Sequence, residues 1–230
     1  LIILSMSALS LISLSIKDAT NKASEETFGN ITNSFTMEIN RRVNQGTARG
    51  GGNVRGQDIK KIVDSGHVDN FVKRINSVAN LDDNLDIVEA PGASRNESAE
   101  RAKNFKRAVM LTGVNSSQKE TKFVSGAYKL VEGEHLTSED KNKILMHKDL
   151  AAKNNLKVGD KIKLKSNVYD ADNEKKANET VEVEIKGLFD GHGKSAVTYS
   201  QELYENTLIT DVHTAAKVYG NTEDTATYQD

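Results

Sequence analysis

Three groups of side chains in this sequence are of types that do chemistry: five histidines, a carboxylate run and a glycine-arginine loop. Each can be judged by its spacing. His67, His135, His147, His192 and His213 are dispersed. They form neither H-E-x-x-H nor a helical i, i+4 pair, so no metal-ligand set is legible along the chain. Asp170-Ala171-Asp172-Asn173-Glu174 begins like a calcium loop, but Lys175 stands where the sharp turn needs Gly, and Val181 where a bidentate Glu belongs. That excludes an EF-hand. Gly50, Gly52 and Gly56 lie in the stretch 44–56, yet they do not keep G-x-G-x-x-G, and no G-K-[ST] follows. The stretch reads as a flexible surface loop; the weaker, functional alternative is that Arg41, Arg42, Arg49 and Arg55 meet anionic lipid or envelope polymer. No G-x-S-x-G marks a nucleophile, and the carboxylates are interleaved with lysine, the pattern of a solvated surface. Cysteine is absent, which excludes thiol catalysis, disulfides, Cys-ligated zinc and a lipoprotein anchor. The sequence therefore assigns no catalytic, cofactor-binding or metal residue and no cofactor, and it leaves substrate contacts unassigned.

The elements that would position any site are easier to read. The chain has 230 residues, enough for one large domain or two small ones. With 37% hydrophobic and 5% aromatic residues it supports a folded but modest core. Net charge is −2, which provides no basic field for nucleic acid. Leu1–Ile16 carries no charge. As a helix it spans roughly 24 Å against the ~30 Å of a hydrocarbon core, so it reads as the C-terminal part of a transmembrane helix, with a secretory signal as the alternative. Lys17–Phe28 continues as helix to Gly29. Ile31–Val43 alternates as a strand, Gln57–Ser65 is an amphipathic helix stopped by Gly66, and Val68–Leu81 is a long strand-like run. Strand, helix, strand over Ile31–Leu81 suggests a βαβ-like half unit. Asp82–Asn104 is polar, contains Pro91-Gly92, and reads as a linker.

Phe105–Val114 returns as a strand and leads into a well-punctuated stretch, Phe123–Lys165. Ala127–Glu132 is strand-like and Gly133 turns the chain. Thr137 to Asp140 carries the start signal of a helical turn. Ile144-Leu145-Met146 is a buried strand, Asp149–Asn155 a short helix, Val158-Gly159-Asp160 a turn, and Ile162 and Leu164 alternate with lysine in the next strand. Ser166–Thr180 is a hydrophilic hairpin tip. Val181, Val183 and Ile185 mark an edge or half-exposed strand that ends at Gly187-Leu188-Phe189. Thr207–Thr210 is a strand, Asp211 caps a helix through Val212–Tyr219, and Gly220 closes it.

Gly133, Leu136, Thr137 and Asp140, then an apolar strand, then Leu150-Ala151-Ala152-Lys153-Asn154-Asn155-Leu156-Lys157-Val158-Gly159-Asp160-Lys161-Ile162-Lys163-Leu164 resemble the extracytoplasmic core domain of MacB/FtsX-type ABC transporter permeases. Val181–Phe189 and Asn206–Gly220 are supporting echoes. The resemblance implies an α+β chain: a partial N-terminal transmembrane helix followed by a mixed α/β subdomain with an inserted β-rich subdomain. The segments would be 1–16 (helix in the membrane), 17–30 (helical extension), 31–81 (membrane-proximal subdomain), 82–104 (linker), 105–222 (inserted subdomain) and 223–230 (start of a return segment). It also implies a non-catalytic subunit of the cell membrane, extracytoplasmic from about residue 17. The implied partners are an ABC-type ATPase, a second permease copy or paralogue, the membrane and a membrane-fusion-type accessory protein, with no nucleic acid. The implied work is export of a peptide, antimicrobial or lipid-linked substrate. Two other readings fit the same apolar start: a single-anchored extracellular binding or sensing domain, and a secreted hydrolase, which the absent catalytic motifs disfavour.

Overall fold

Strand β2 (Arg74–Leu81), expected in a membrane-proximal unit, lies between two strands expected in another. In this computed structural model, which describes residues 42, 54–93, 97–193 and 197–228, it runs antiparallel to β3 (Ala108–Val114) on one side and to β6 (Lys161–Ser166) on the other. From β3 the pairing passes in parallel to β8 (Thr207–Asp211), then antiparallel to β5 (Lys143–His147), and in parallel to β7 (Thr180–Asp190). Strand β7 pairs antiparallel with β6 and closes the ring. The result is a six-stranded closed barrel, which leaves its own strands no unpaired edges. Strand β4 (Lys129–Gly133) is added outside the ring, antiparallel to the far half of β7. A two-residue pair, β1 (Val54–Arg55) with β9 (Thr227–Tyr228), sits apart from the main sheet.

Side-chain parity shows how the barrel is filled. In β5, Ile144 and Met146 join the main core while Leu145 points into a second cluster; in β8, Leu208 and Ile209 divide the same way. The main core also takes Val109 and Leu111 from β3, Ile162 and Leu164 from β6, and Val181, Val183 and Ile185 from β7. Strand β7 then shifts register: Ile144 faces Ile185 but Leu145 faces Gly187, so Lys186 is an extra residue, a bulge. Parity inverts there. Leu188 returns to the main core and Phe189 enters the second cluster with Val114, Tyr128, Leu136 and Ile209. Fully burying side chains such as Leu111, Ile144 or Leu164 stabilises the fold by about 1.5–3 kcal/mol each.

Short helices serve this barrel. They are α1 (Gly56–Val63), α2 (Ala99–Phe105), α3 (Thr121–Val124), α4 (Lys148–Lys153) and α5 (Val212–Val218). Helix α4 buries Leu150 and Ala151, and α5 buries Ala215, Ala216 and Val218. Asp211 caps α5 by accepting from the Thr214 N–H at 2.8 Å, as its position before the apolar run predicts.

The architecture corrects the expected fold class. The described residues form a mostly β domain built on one closed barrel, not a mixed α/β subdomain carrying an inserted β-rich one, because β2 supplies a wall that β3 and β6 both need. Among the described residues no helix is long and apolar enough to cross a membrane. The described residues belong to one compact unit, Glu38–Asp230. The expected anchor at Leu1–Ile16, the helix through Phe28, the strand at Ile31–Val43 apart from Arg42, and most of the Gly/Arg loop lie outside the described residues.

Several local readings change as well. Strand β7 is not an edge: it has three partners and runs on to Asp190. Thr137–Asp140 is a turn and not a helical start, because the Asp140 carboxylate reaches back to accept the Thr137 N–H at 2.7 Å. Residues 67–73 precede β2 without being strand, and Phe105 ends α2 rather than beginning β3. The Asp82–Pro91 stretch is a strap held by side chains. Asn154 accepts from the Asp86 N–H (2.8 Å) and donates to its carbonyl (2.9 Å), and Asn206 does the same for Val88 (2.8 and 2.7 Å). Leu85 and Ile87 are thereby drawn into the main core.

Candidate functional site

Because β5 and β7 are parallel, their C-terminal ends leave the barrel on the same side, with His147 opposite Phe189. His147 is at once the last residue of β5 and the N-cap of α4. Asp190, Gly191 and His192 follow Phe189. Glu205 arrives from the 3-10 turn Tyr204–Asn206 that leads into β8. These three chain segments converge on one polar cluster.

His147 is fully buried, yet both ring nitrogens have backbone partners. Its Nε2 lies 2.9 Å from the Gly191 carbonyl, which can only accept, so Nε2 carries a proton. Its Nδ1 accepts the Asp149 N–H at 3.2 Å and so presents its lone pair. The Asp149 carboxylate lies 3.8 Å from that Nδ1, and Asp190 Oδ1 lies 3.9 Å from Nε2. His192 is exposed, with Nδ1 2.9 Å from Glu205 Oε1 and Nε2 3.5 Å from Asp190 Oδ1. The Glu205 hydrogen bond, with the Asp190 and Asp149 charges behind it, holds the His192 imidazole above its ordinary value against a smaller opposing effect of burial. Lys148 donates to Asp190 Oδ2 at 2.8 Å, which lowers the carboxyl and raises the amine. Among the described residues, His147, Asp149 and His192 are the group whose ligand atoms lie within 4.8 Å of one another.

A second cluster is aromatic. Tyr128 is packed between Phe189 (centroids 4.6 Å apart) and Tyr204 (5.1 Å), with Phe123 edge-on at 5.6 Å. The Lys122 ammonium lies 4.3 Å from the Tyr204 ring centre and donates to the Tyr128 hydroxyl at 3.1 Å. Burial disfavours both charged forms, pushing the Lys122 amine down and the Tyr128 phenol up. This arrangement covers the second core beside β4.

The remaining sequence-level candidates stay apart. His67 is exposed, His213 is half-buried on α5, and His135 accepts from or donates to Ser117 Oγ at 2.8 Å with its ring lowered by burial. Asp170 is turned inward and accepts from the Tyr219 hydroxyl, while Asn173 donates to the Asn167 and Ala177 carbonyls (3.0 and 2.9 Å). The calcium-like run is thus a loop tied to the barrel by its own polar side chains. Of the four arginines, Arg42 and Arg55 are described, both exposed; Arg55 donates to the Thr225 carbonyl at 3.0 Å.

The resemblance-bearing residues are mostly structural. Gly133 turns at φ 77°, Leu136, Leu150, Ala151, Ile162 and Leu164 are buried, and Asn154 ties the strap. Sequence reasoning missed the meeting of His147 with His192, since no local spacing encodes which strand ends are neighbours. The one available signal was that His147 ends one apolar β run and His192 follows another by two residues. Among known proteins, no family model matches the chain and no curated protein matches it in sequence.

Proposed function

We propose that this chain is the extracytoplasmic part of a MacB/FtsX-type ABC transporter permease. It would be a non-catalytic body that couples the motion of an ATP-driven partner to extrusion of a peptide, antimicrobial or lipid-linked substrate. The observation that carries the reading is how the Gly133–Leu164 run is used. Its apolar positions fill the barrel, Gly133 and the Val158–Asp160 turn shape it, and Asn154 clamps the strap across it. A closed, filled barrel resists shear because each strand has partners on both sides, so a push at one point displaces the whole body. A mechanical relay needs that property, and it needs no reactive side chain. The partners in this reading are an ABC-type ATPase, a second permease copy or paralogue, the membrane and a membrane-fusion-type accessory protein. The reading rests on the signature residues and not on a two-subdomain layout.

Sequencing the gene through both ends of this chain tests it. The expected result is about three further apolar spans of roughly 20 residues after Asp230 beside an ATPase gene, whose product co-purifies with the permease and is required for transport. A stop codon shortly after Asp230, or transport by the purified permease without an ATPase, would overturn it. The stop codon would favour a single-anchored binding or sensing domain.

A further inference from the structure

We propose that His147, Asp149 and His192 form a binding site for a divalent transition metal ion of the zinc class. The three side chains each bring one ligand atom within 4.8 Å of the others. Zinc–nitrogen bonds of about 2.0–2.1 Å set ligand atoms roughly 3.3 Å apart in a tetrahedron, so the group must close by up to about 1.5 Å. The half-exposed Asp149 and the exposed His192 side chains have the rotamer freedom to do so.

What separates this cluster from a chance meeting is how each imidazole is held from behind. A ligating histidine donates its other N–H to a carbonyl or carboxylate, which fixes the ring and selects the tautomer. His147 Nε2–H donates to the Gly191 carbonyl and leaves the Nδ1 lone pair facing Asp149. His192 Nδ1–H donates to Glu205 and leaves Nε2 on the side of Asp190. Each histidine therefore has one nitrogen anchored, one by backbone and one by carboxylate, and an ion would take the other, displacing the Asp149 N–H from His147 Nδ1 and any proton that Asp190 holds on His192 Nε2. The long 3.2 Å bond from the Asp149 N–H to His147 Nδ1 is the contact an ion replaces. Asp190 Oδ1, which accepts the Gly191 N–H at 2.9 Å, is a further carboxylate oxygen beside His192, and Lys148 holds its other oxygen. Two imidazole nitrogens with one or two carboxylate oxygens match zinc or cobalt(II); calcium and magnesium prefer all-oxygen shells, and copper(I) prefers thiolates.

The test is titration of the full chain, in mild detergent, without an affinity tag and after chelator treatment, with Zn²⁺ by calorimetry and with Co²⁺ by visible absorption. One saturable equivalent is expected, with the d–d bands of tetrahedral Co²⁺ and a raised melting temperature on adding Zn²⁺. Because His147 is buried and caps a helix, the deciding variants are at the exposed His192 and at its partly buried partner Glu205. His192→Ala should weaken Zn²⁺ binding at least about tenfold, and Glu205→Gln by roughly tenfold without changing the melting temperature of the metal-free protein. His67→Ala should bind like the parent. Absence of saturable binding, an affinity untouched by His192→Ala, or an equal loss in His67→Ala would each overturn the assignment.

Discussion

Gly133 ends β4 at φ 77°, and a Cβ there would lie 2.2 Å from the Lys186 carbonyl oxygen. An L-residue meets both the left-handed backbone and the neighbouring strand, so Gly133→Ala should cost about 2–3 kcal/mol. Urea denaturation should show a lower midpoint with unchanged slope; a midpoint equal to that of the parent would contradict the close approach. Asp140 works through its side chain. It accepts from the Thr137 N–H and hydroxyl (2.7 and 3.1 Å) and from the Lys186 ammonium (2.8 Å). Burial pulls its carboxyl upward, but Lys186 and Thr137 together outweigh this and hold it below its ordinary value of 3.8. The unfolded chain therefore binds the proton more readily, and stability rises with pH through this window. The contribution is fully present above pH 3.8 and is lost as the pH falls through the lower folded value. Asp140→Asn should cost about 1 kcal/mol at neutral pH, and the gap between variant and parent should narrow on acidification. A gap independent of pH would mean that the pairing is not the source.

Helices and straps depend on a few polar side chains that each bond two or three backbone groups. Buried Asp211 accepts from the Thr214 N–H, the Thr214 hydroxyl (2.8 Å) and the Lys143 N–H (3.1 Å), and so joins the start of α5 to the start of β5. Asp211→Ala removes the cap and orphans a strand donor, so a loss of about 2 kcal/mol is expected from chemical denaturation. Asn206, fully buried, pairs both backbone groups of Val88. Replacing it by Ala should free the strap, and amide exchange at Val88 should accelerate far more than at Leu111; equal acceleration would indicate general destabilisation instead. The strap reads as a linker in the sequence because its composition is that of one. Leu85, Ile87 and Ala90 among Asp82, Asp83, Asp86 and Glu89 show no helical or strand period, and the partners that satisfy their backbone come from elsewhere in the chain.

At the scale of the whole molecule, the closed ring predicts that β2 and β8 unfold together. Amides such as Ile75 and Ile209 should exchange through one global opening with the same free energy. Separate, lower protection across Ile75–Leu81 would instead favour a β2 segment that folds independently. The ring also explains why β5, α4, β6 and β8 were legible: each is a short local pattern bounded by its own turn or cap, such as Gly159, Asp211 or Gly220. The placement of β7 was not legible. Val181, Val183 and Ile185 alternate as a half-exposed edge should, because the polar positions between them stay outside the barrel even though three strands pair with this one.

By itself the sequence determined the order of the strands β4 to β8 and of the helices α4 and α5, since capping, turn chemistry and side-chain period act over a few residues. It also determined the exclusion of thiol and EF-hand chemistry, since those need particular residues at particular spacings. Only the tertiary structure decided that β2 and β6 are neighbours, that β7 lies at the centre of the pairing, and that His147 and His192 share one end of the barrel. Strand pairing is a long-range choice made by closing the ring around a common core, and no local window of residues carries that information.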